Sequence, residues 1–229
     1  MFYGINPLYI MMMLPIFIFS MIAQAKVKSS FQKYSQLGVK SGMTGAQVAK
    51  MILQKAGVND VIIEETSGWL SDHYSPTQKR LRLSQRVYRS SSIAAVGVAA
   101  HEAGHALQHY QGMLIMRFWM TLAKPAAFMS NGAIFLILIG LMIHFLQPLA
   151  MVGLVFFLVV VVFQLVTLPV EFNASSRAKN LLYEHGIVTY DELQGVSTVL
   201  SSAAMTYVAA AAAALTQLLY FAMLLGRRR

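Results

Sequence analysis

The residues best suited to chemistry are His101, Glu102 and His105, the fixed positions of a His-Glu-x-x-His motif within the stretch Ser92–His109. On an α-helix, residues four apart lie one above the other on the same face. His101 and His105 can therefore aim two imidazole nitrogens at one ion, as zinc requires at ~2.0–2.1 Å. Glu102 falls beside the position such an ion leaves open, where it can take a proton from a water whose pKa zinc lowers to about 7. The motif is short and occurs by chance, so its surroundings decide. Ser90, Ser91 and Ser92 offer helix N-caps, and Ile93–Ala100 is apolar, small and helix-compatible. Two histidines and a carboxylate in such a run are costly without partners. That favours a zinc hydrolase over a buried helix whose histidines find only local hydrogen bonds.

A catalytic zinc usually takes three protein ligands and keeps one position open. His109 lies eight residues past His101, or ~12 Å along a continuous helix. It cannot share the ion unless the helix breaks. The metzincin pattern makes that break with a glycine, where this chain has Leu107-Gln108, so His109 is either a supporting residue or polar surface. Glu171 is the better candidate, as the first carboxylate after Glu102 and just past an apolar run. A helix opened by Pro169 would carry it on the first turn. A plain surface carboxylate at a membrane boundary is the alternative, and Glu184, before His185, is the fallback ligand.

These residues must be positioned by a chain that is 57% hydrophobic and only 12% charged over 229 residues. Soluble domains carry about 25% charged residues, so an integral membrane protein is predicted. Cysteine is absent, which excludes disulfides and thiolate zinc sites, and the fifteen methionines suit lipid contact or adaptable packing. The net charge of +9 is spread along the chain without a nucleic-acid-binding motif. Anionic lipid is the expected partner, and nucleic acid is not.

Residues from about Ile5 to Ala25 are long and apolar enough to span the bilayer. A signal peptide needs a basic leading segment; here Lys26, Lys28 and Lys33 follow the run instead, as at the cytoplasmic end of an uncleaved anchor. Thr44–Gln47 resembles a capping box opening a helix to Ala56, stopped by Gly57. Val58–Thr66 and Arg80–Ser84 read as strands on either side of a turn at Ser75–Lys79, giving a β-hairpin or small sheet just before the metal helix. A solvent-facing strand there could take an extended peptide, or the sheet could merely cover the helix. Ala126–Phe145 and Leu149–Leu168 read as a transmembrane hairpin with an uncharged loop. A polar stretch, Glu171 to about Gln194, precedes a last apolar segment, Val199–Leu225, which is either a span or a helix packed inside the bundle.

His-Glu-Ala-Gly-His, the downstream Pro-Val-Glu-Phe-Asn-Ala-Ser-x-Arg-Ala and the hairpin residues Asp72-His73-Tyr74 together resemble the YugP-like membrane zinc metallopeptidases. These are related to the HtpX and CAAX-prenyl-protease group of gluzincins, and the resemblance covers nearly the whole chain. It implies zinc ligation by His101, His105 and Glu171 and a base role for Glu102. In one respect the chain departs: Ser175 stands where the HtpX-type motif has an aspartate, a weaker partner for a histidine ligand. The oxyanion also needs a donor besides zinc, for which His73, Tyr74 and Tyr207 are candidates by residue type.

The expectation is a mainly α membrane protein with a small α+β cytoplasmic part. It would have a gluzincin-like His-Glu-x-x-His core helix, a short β-sheet and three to four transmembrane helices. Its segments would be a first span at 1–25, a peptidase region at 26–116, a transmembrane hairpin at 117–168, and the third-ligand helix with a C-terminal membrane helix at 169–229, all in one structural unit. The expected function is multi-pass, zinc-dependent endopeptidase action on a membrane-associated protein or peptide, with an oligomer or partner protein left open. A non-catalytic zinc-containing membrane component that regulates a partner complex is the alternative. A basic membrane-surface binder would need no zinc. The peptidase region is expected to face the cytoplasm. Arg227–Arg229 count against that orientation if the last segment spans fully.

Overall fold

The structure is a computed structural model that describes residues 7–69 and 71–226. Ile5, at the start of the first apolar run, and Arg227–Arg229 lie outside the described residues. The chain is mainly helical, with a small sheet. In order come α1 (Pro7–Ser35), α2 (Gly45–Lys55), β1 (Ile62–Thr66), β2 (His73–Ser75), β3 (Arg80–Ser84), α3 (Gln85–Tyr88), α4 (Ile93–Tyr110) and α5 (Leu114–Met142). A 3-10 turn (His144–Leu146), α6 (Gln147–Glu184) and α7 (Tyr190–Gly226) complete it. Among the described residues four helices are long and apolar enough to cross a membrane: α1, α5, α6 and α7.

Two compact units result. One comprises Gln24–Arg117 and Val170–Met205, and it holds the sheet and the motif helix. Its local structure follows from its caps. Thr44 and Gln47 form a reciprocal capping box at the start of α2, and Gly57, at φ 73°, turns the chain away after Ala56. Val58 N–H then donates to Leu53 C=O, so the strand begins at Ile62 rather than at Val58. The sheet order is β1-β3-β2. β1 pairs with β3 in parallel, Ile63 opposite Leu81, and only β2 with β3 forms a hairpin. Asp72 closes that hairpin by accepting from Ser84 N–H and Oγ–H at 2.7 and 3.0 Å.

α4 starts at Ser92, whose hydroxyl accepts from Ala95 N–H at 3.2 Å. Thirteen of its eighteen residues are buried, which explains the run of alanine and glycine: all but the terminal Tyr110 and the stripe of Val98, His101, His105 and His109 is covered, so bulk has nowhere to go. Val48, Ile52, Leu81, Leu83 and Val87 pack in the same core as the α4 alanines, with Ala178 and Leu182 of α6 and Val196 of α7. At Gly104 a Cβ would meet Ala174 C=O at 2.9 Å, so glycine sets how closely α4 approaches α6. Gly104→Val is expected to destabilise this unit by roughly 1–3 kcal/mol through overpacking. Thermal unfolding in detergent measures it, and an unchanged midpoint would mean that the two helices part without cost.

The second unit comprises Met1–Ala23, Phe118–Pro169 and Thr206–Arg229. Its core joins Ala133 and Ile137 of α5, Phe157 and Val161 of α6, and Tyr220 and Phe221 of α7. Gly153 lets α6 approach α5 so closely that a Cβ would meet Ala133 C=O at 2.7 Å, the small-residue contact that membrane helices favour. Phe128, Met142 and Phe145 are 75–83% exposed, as lipid-facing residues would be.

At Pro169 the structure corrects the sequence reading. Pro169 does not open a helix; α6 runs unbroken through it from Gln147 to Glu184. A proline inside a helix removes its own N–H bond and crowds the carbonyl four residues back, and the packing of Val170, Ala174 and Ala178, each at most 1% exposed, carries the helix on. The polar stretch from Glu171 to about Gln194, expected to hold the third-ligand helix, is mostly helical. α6 ends at Glu184, the chain turns at Gly186, φ 65°, and Thr189 and Glu192 exchange backbone-to-side-chain bonds at the start of α7.

Candidate metal centre

His101 and His105 lie on successive turns of α4, and Glu171 lies on α6. Four-residue spacing puts both imidazoles on one face, and the close approach at Gly104 brings α6 beside that face. His101 Nε2 is 3.2 Å from Glu171 Oε2 and 3.2 Å from His105 Nε2, and His105 Nε2 is 3.6 Å from Glu171 Oε1. One ligand atom from each lies within 4.8 Å of the others.

The other ring nitrogens are already engaged. Ser175 Oγ lies 3.1 Å from His101 Nδ1, and Gln108 Oε1 lies 3.0 Å from His105 Nδ1. Gln108 is fully buried, and its amide N–H₂ donates to Val170 C=O and Asn173 Oδ1 at 2.8 and 3.0 Å. Its oxygen is therefore the acceptor for His105 Nδ1–H, which leaves Nε2 to face His101 and Glu171. Asn173 Oδ1 accepts in turn from Arg177 Nε–H at 2.7 Å.

This donor set fits zinc. Three ligand atoms each ~2.0–2.1 Å from a tetrahedral ion stand ~3.3–3.4 Å apart, which matches the spacings of 3.2, 3.2 and 3.6 Å. The electrostatics also favour a cation. Burial opposes charge on His105, yet the hydrogen bond to Glu171 and the charges of Glu102 and Glu171 outweigh it and raise its pKa to about 9. Burial pushes the Glu102 carboxyl up; His101 and His105 pull it the other way, while Glu171 and Asp72 add to the rise.

The remaining sequence candidates have other surroundings. His109 Nδ1 is 2.9 Å from Tyr74 OH. Burial and the charge of Lys79 hold His109 below its usual range, so it is the neutral acceptor. Burial drives the Tyr74 phenol up to about 12, so it remains the donor. His73 is exposed, with Nδ1 2.8 Å from Ser71 C=O. Glu184 is exposed at the far end of α6, on the order of 20 Å along the helix from Glu171. Tyr207 belongs to the other unit.

Sequence reasoning missed Gln108, although a polar amide three residues past His105 in an apolar helix was a readable signal. Asn173 and Arg177 read only as members of the downstream motif, with no role of their own. Gln108→Leu keeps the volume and removes the acceptor, so zinc affinity should fall about 10–100-fold. Chelator competition measures it, and unchanged affinity would reduce the amide to a space filler.

A family model described as "Putative neutral zinc metallopeptidase" matches residues 9–226. The chain belongs to that family, and zinc is its cofactor. "Putative membrane protease YugP" of Bacillus subtilis (strain 168) is 47% identical over 204 residues, 88% of this chain and 89% of that relative. The resemblance read from the motifs is thus shown. No solved structure matches the chain.

Proposed function

We infer that this chain is a multi-pass membrane endopeptidase that holds one zinc ion through His101 Nε2, His105 Nε2 and Glu171. The convergence of those donors within 4.8 Å carries the reading. When bound there, zinc supplies Lewis acidity to a carbonyl oxygen and brings the pKa of a water to about 7. Glu102 accepts the proton of the attacking water at its buried carboxylate. It then returns that proton to the amine nitrogen as the C–N bond breaks. Gln108 and Ser175 keep the two imidazoles oriented throughout.

The substrate class follows from the printed name of the relative, a membrane protease: a protein or peptide associated with the membrane. β2 is an edge strand, the kind of element to which an extended peptide can add. Tyr74, kept protonated on that strand, is the proposed donor to the tetrahedral oxyanion. To serve, it exchanges its bond to His109. His73 has only its place on the same strand in its favour.

The peptidase part, 26–116 with the turns of α6 that follow residue 169, is proposed to face the cytoplasm. Twelve Lys and Arg lie between Lys26 and Arg117, and none lies in the 145–149 loop. The core helix with its glutamate ligand from a later helix is of gluzincin type. In reconstituted bilayers a chelator should abolish cleavage of a membrane-protein substrate, and added zinc should restore it. Cleavage that ignores the chelator ends the zinc reading. Cysteines placed at Ser35 and Gln147 should label from opposite sides, and outside labelling at Ser35 would reverse the orientation.

A further inference from the structure

Beside the candidate metal centre lies a cavity of about 380 Å³, lined by Lys26 of α1, Phe172, Ser175 and Lys179 of α6, and Leu200 and Met205 of α7. Glu171, Ser175 and Lys179 stand four apart, so they stack along one face of α6. Ser175 is the link between the two sites. It lines the cavity, and its hydroxyl lies 3.1 Å from His101 Nδ1.

The cavity is lined by two cations and by apolar side chains. No acidic residue lines it. Lys26 is exposed and Lys179 half-buried, and among the described residues neither has a carboxylate within ion-pair distance. The hydroxyls of Ser201 and Ser202, also in the wall, already donate to Thr198 C=O. Two unpaired ammonium groups beside Phe172, Leu200 and Met205 call for an anion that carries an apolar part.

The membrane supplies such an anion at the right depth. Lys26 follows directly on the apolar run ending at Ala25, and α1 continues unbroken to Ser35. With that run in the bilayer, Lys26 stands in the headgroup layer, roughly 5–7 Å thick on each side. Helical side chains lean toward the helix N-terminus, so Lys179 leans back toward the apolar part of α6. A free soluble anion would leave the three apolar residues unused.

We propose that this cavity binds the phosphate headgroup of an anionic phospholipid between Lys26 and Lys179, and so steadies the turns of α6 that carry Ser175 and Glu171. The inference rests on α1 being a membrane span and not on peptidase chemistry. A lipid that favours the ligand-bearing arrangement of α6 must, by linkage, also favour bound zinc.

The test uses the full chain in vesicles of phosphatidylcholine with or without phosphatidylglycerol. Spin-labelled phosphatidylglycerol reports binding, with or without metal, and transfer of zinc to a chelator reports the coupling. The wild-type chain should prefer phosphatidylglycerol and release zinc more slowly in its presence. Lys26→Gln/Lys179→Gln should lose roughly fivefold in preference per lysine and release zinc equally in both lipids. Lys26→Arg/Lys179→Arg should keep both effects, as should the control Lys50→Gln/Lys55→Gln on exposed positions of α2. Glycerol phosphate added in detergent should not slow zinc transfer. Undiminished preference in Lys26→Gln/Lys179→Gln, zinc release indifferent to phosphatidylglycerol, or glycerol phosphate acting as well as the lipid would each overturn the proposal. A chain that binds no zinc sinks the metal-centre reading instead, and the binding arm still decides this one.

Discussion

Glu102→Gln is expected to keep its zinc and to lose about 10²–10⁴-fold in peptidase turnover, the usual cost of removing a general base. The amide matches the carboxylate in size but cannot accept a proton from water. Glu102 is not one of the three converging donors, so its replacement leaves the ligand set intact. The same substitution separates the two readings that keep zinc. A structural or regulatory zinc site has no need of a buried carboxylate next to its first histidine, and burial of that carboxylate at 9% exposure is costly unless it is used. Zinc content measured beside cleavage of a membrane-protein substrate gives the answer. Full turnover in the Glu102→Gln variant would sink the catalytic reading.

Glu171→Ala is expected to cost more than the ~100-fold in zinc affinity that a supporting residue costs, because it removes a ligand outright. It also strips His101 and His105 of the carboxylate that approaches them at 3.2 and 3.6 Å. Glu184→Ala and His109→Ala, purified alike, should retain zinc. Glu184 lies at the exposed end of α6, and His109 is engaged by Tyr74 at 2.9 Å. Zinc stoichiometry in detergent compares all three. Loss of zinc in His109→Ala with retention in Glu171→Ala would require α4 to break after His105 and would overturn the ligand assignment.

What could be read from the sequence was what depends on short-range periodicity and composition. The pairing of His101 with His105 needs only the 3.6-residue repeat of one helix. The caps at Thr44 and Ser92 and the stop at Gly57 are local chemistry. Three long apolar helices follow from runs about as long as a bilayer is thick, while the last apolar run by itself leaves open whether it spans or packs inside the bundle. Glu171 stood out because no other carboxylate lies between Glu102 and Glu184.

Tertiary structure decided what depends on contacts between distant segments. Pro169 reads locally as a helix start, yet α6 continues through it because packing on its buried face outweighs the missing hydrogen bond and the crowding by the ring. The parallel pairing of β1 with β3 depends on long-range register that no turn signal encodes. Only folding brings Val170 C=O and Asn173 to Gln108, sixty-two and sixty-five residues away, and so turns a glutamine amide toward His105. Ser175 is the sharpest case. In the sequence it reads as a weakened substitute for an aspartate; in the fold its hydroxyl still reaches His101 Nδ1 at 3.1 Å, because the missing side chain at Gly104 lets α4 and α6 come close enough for a short side chain to span the gap.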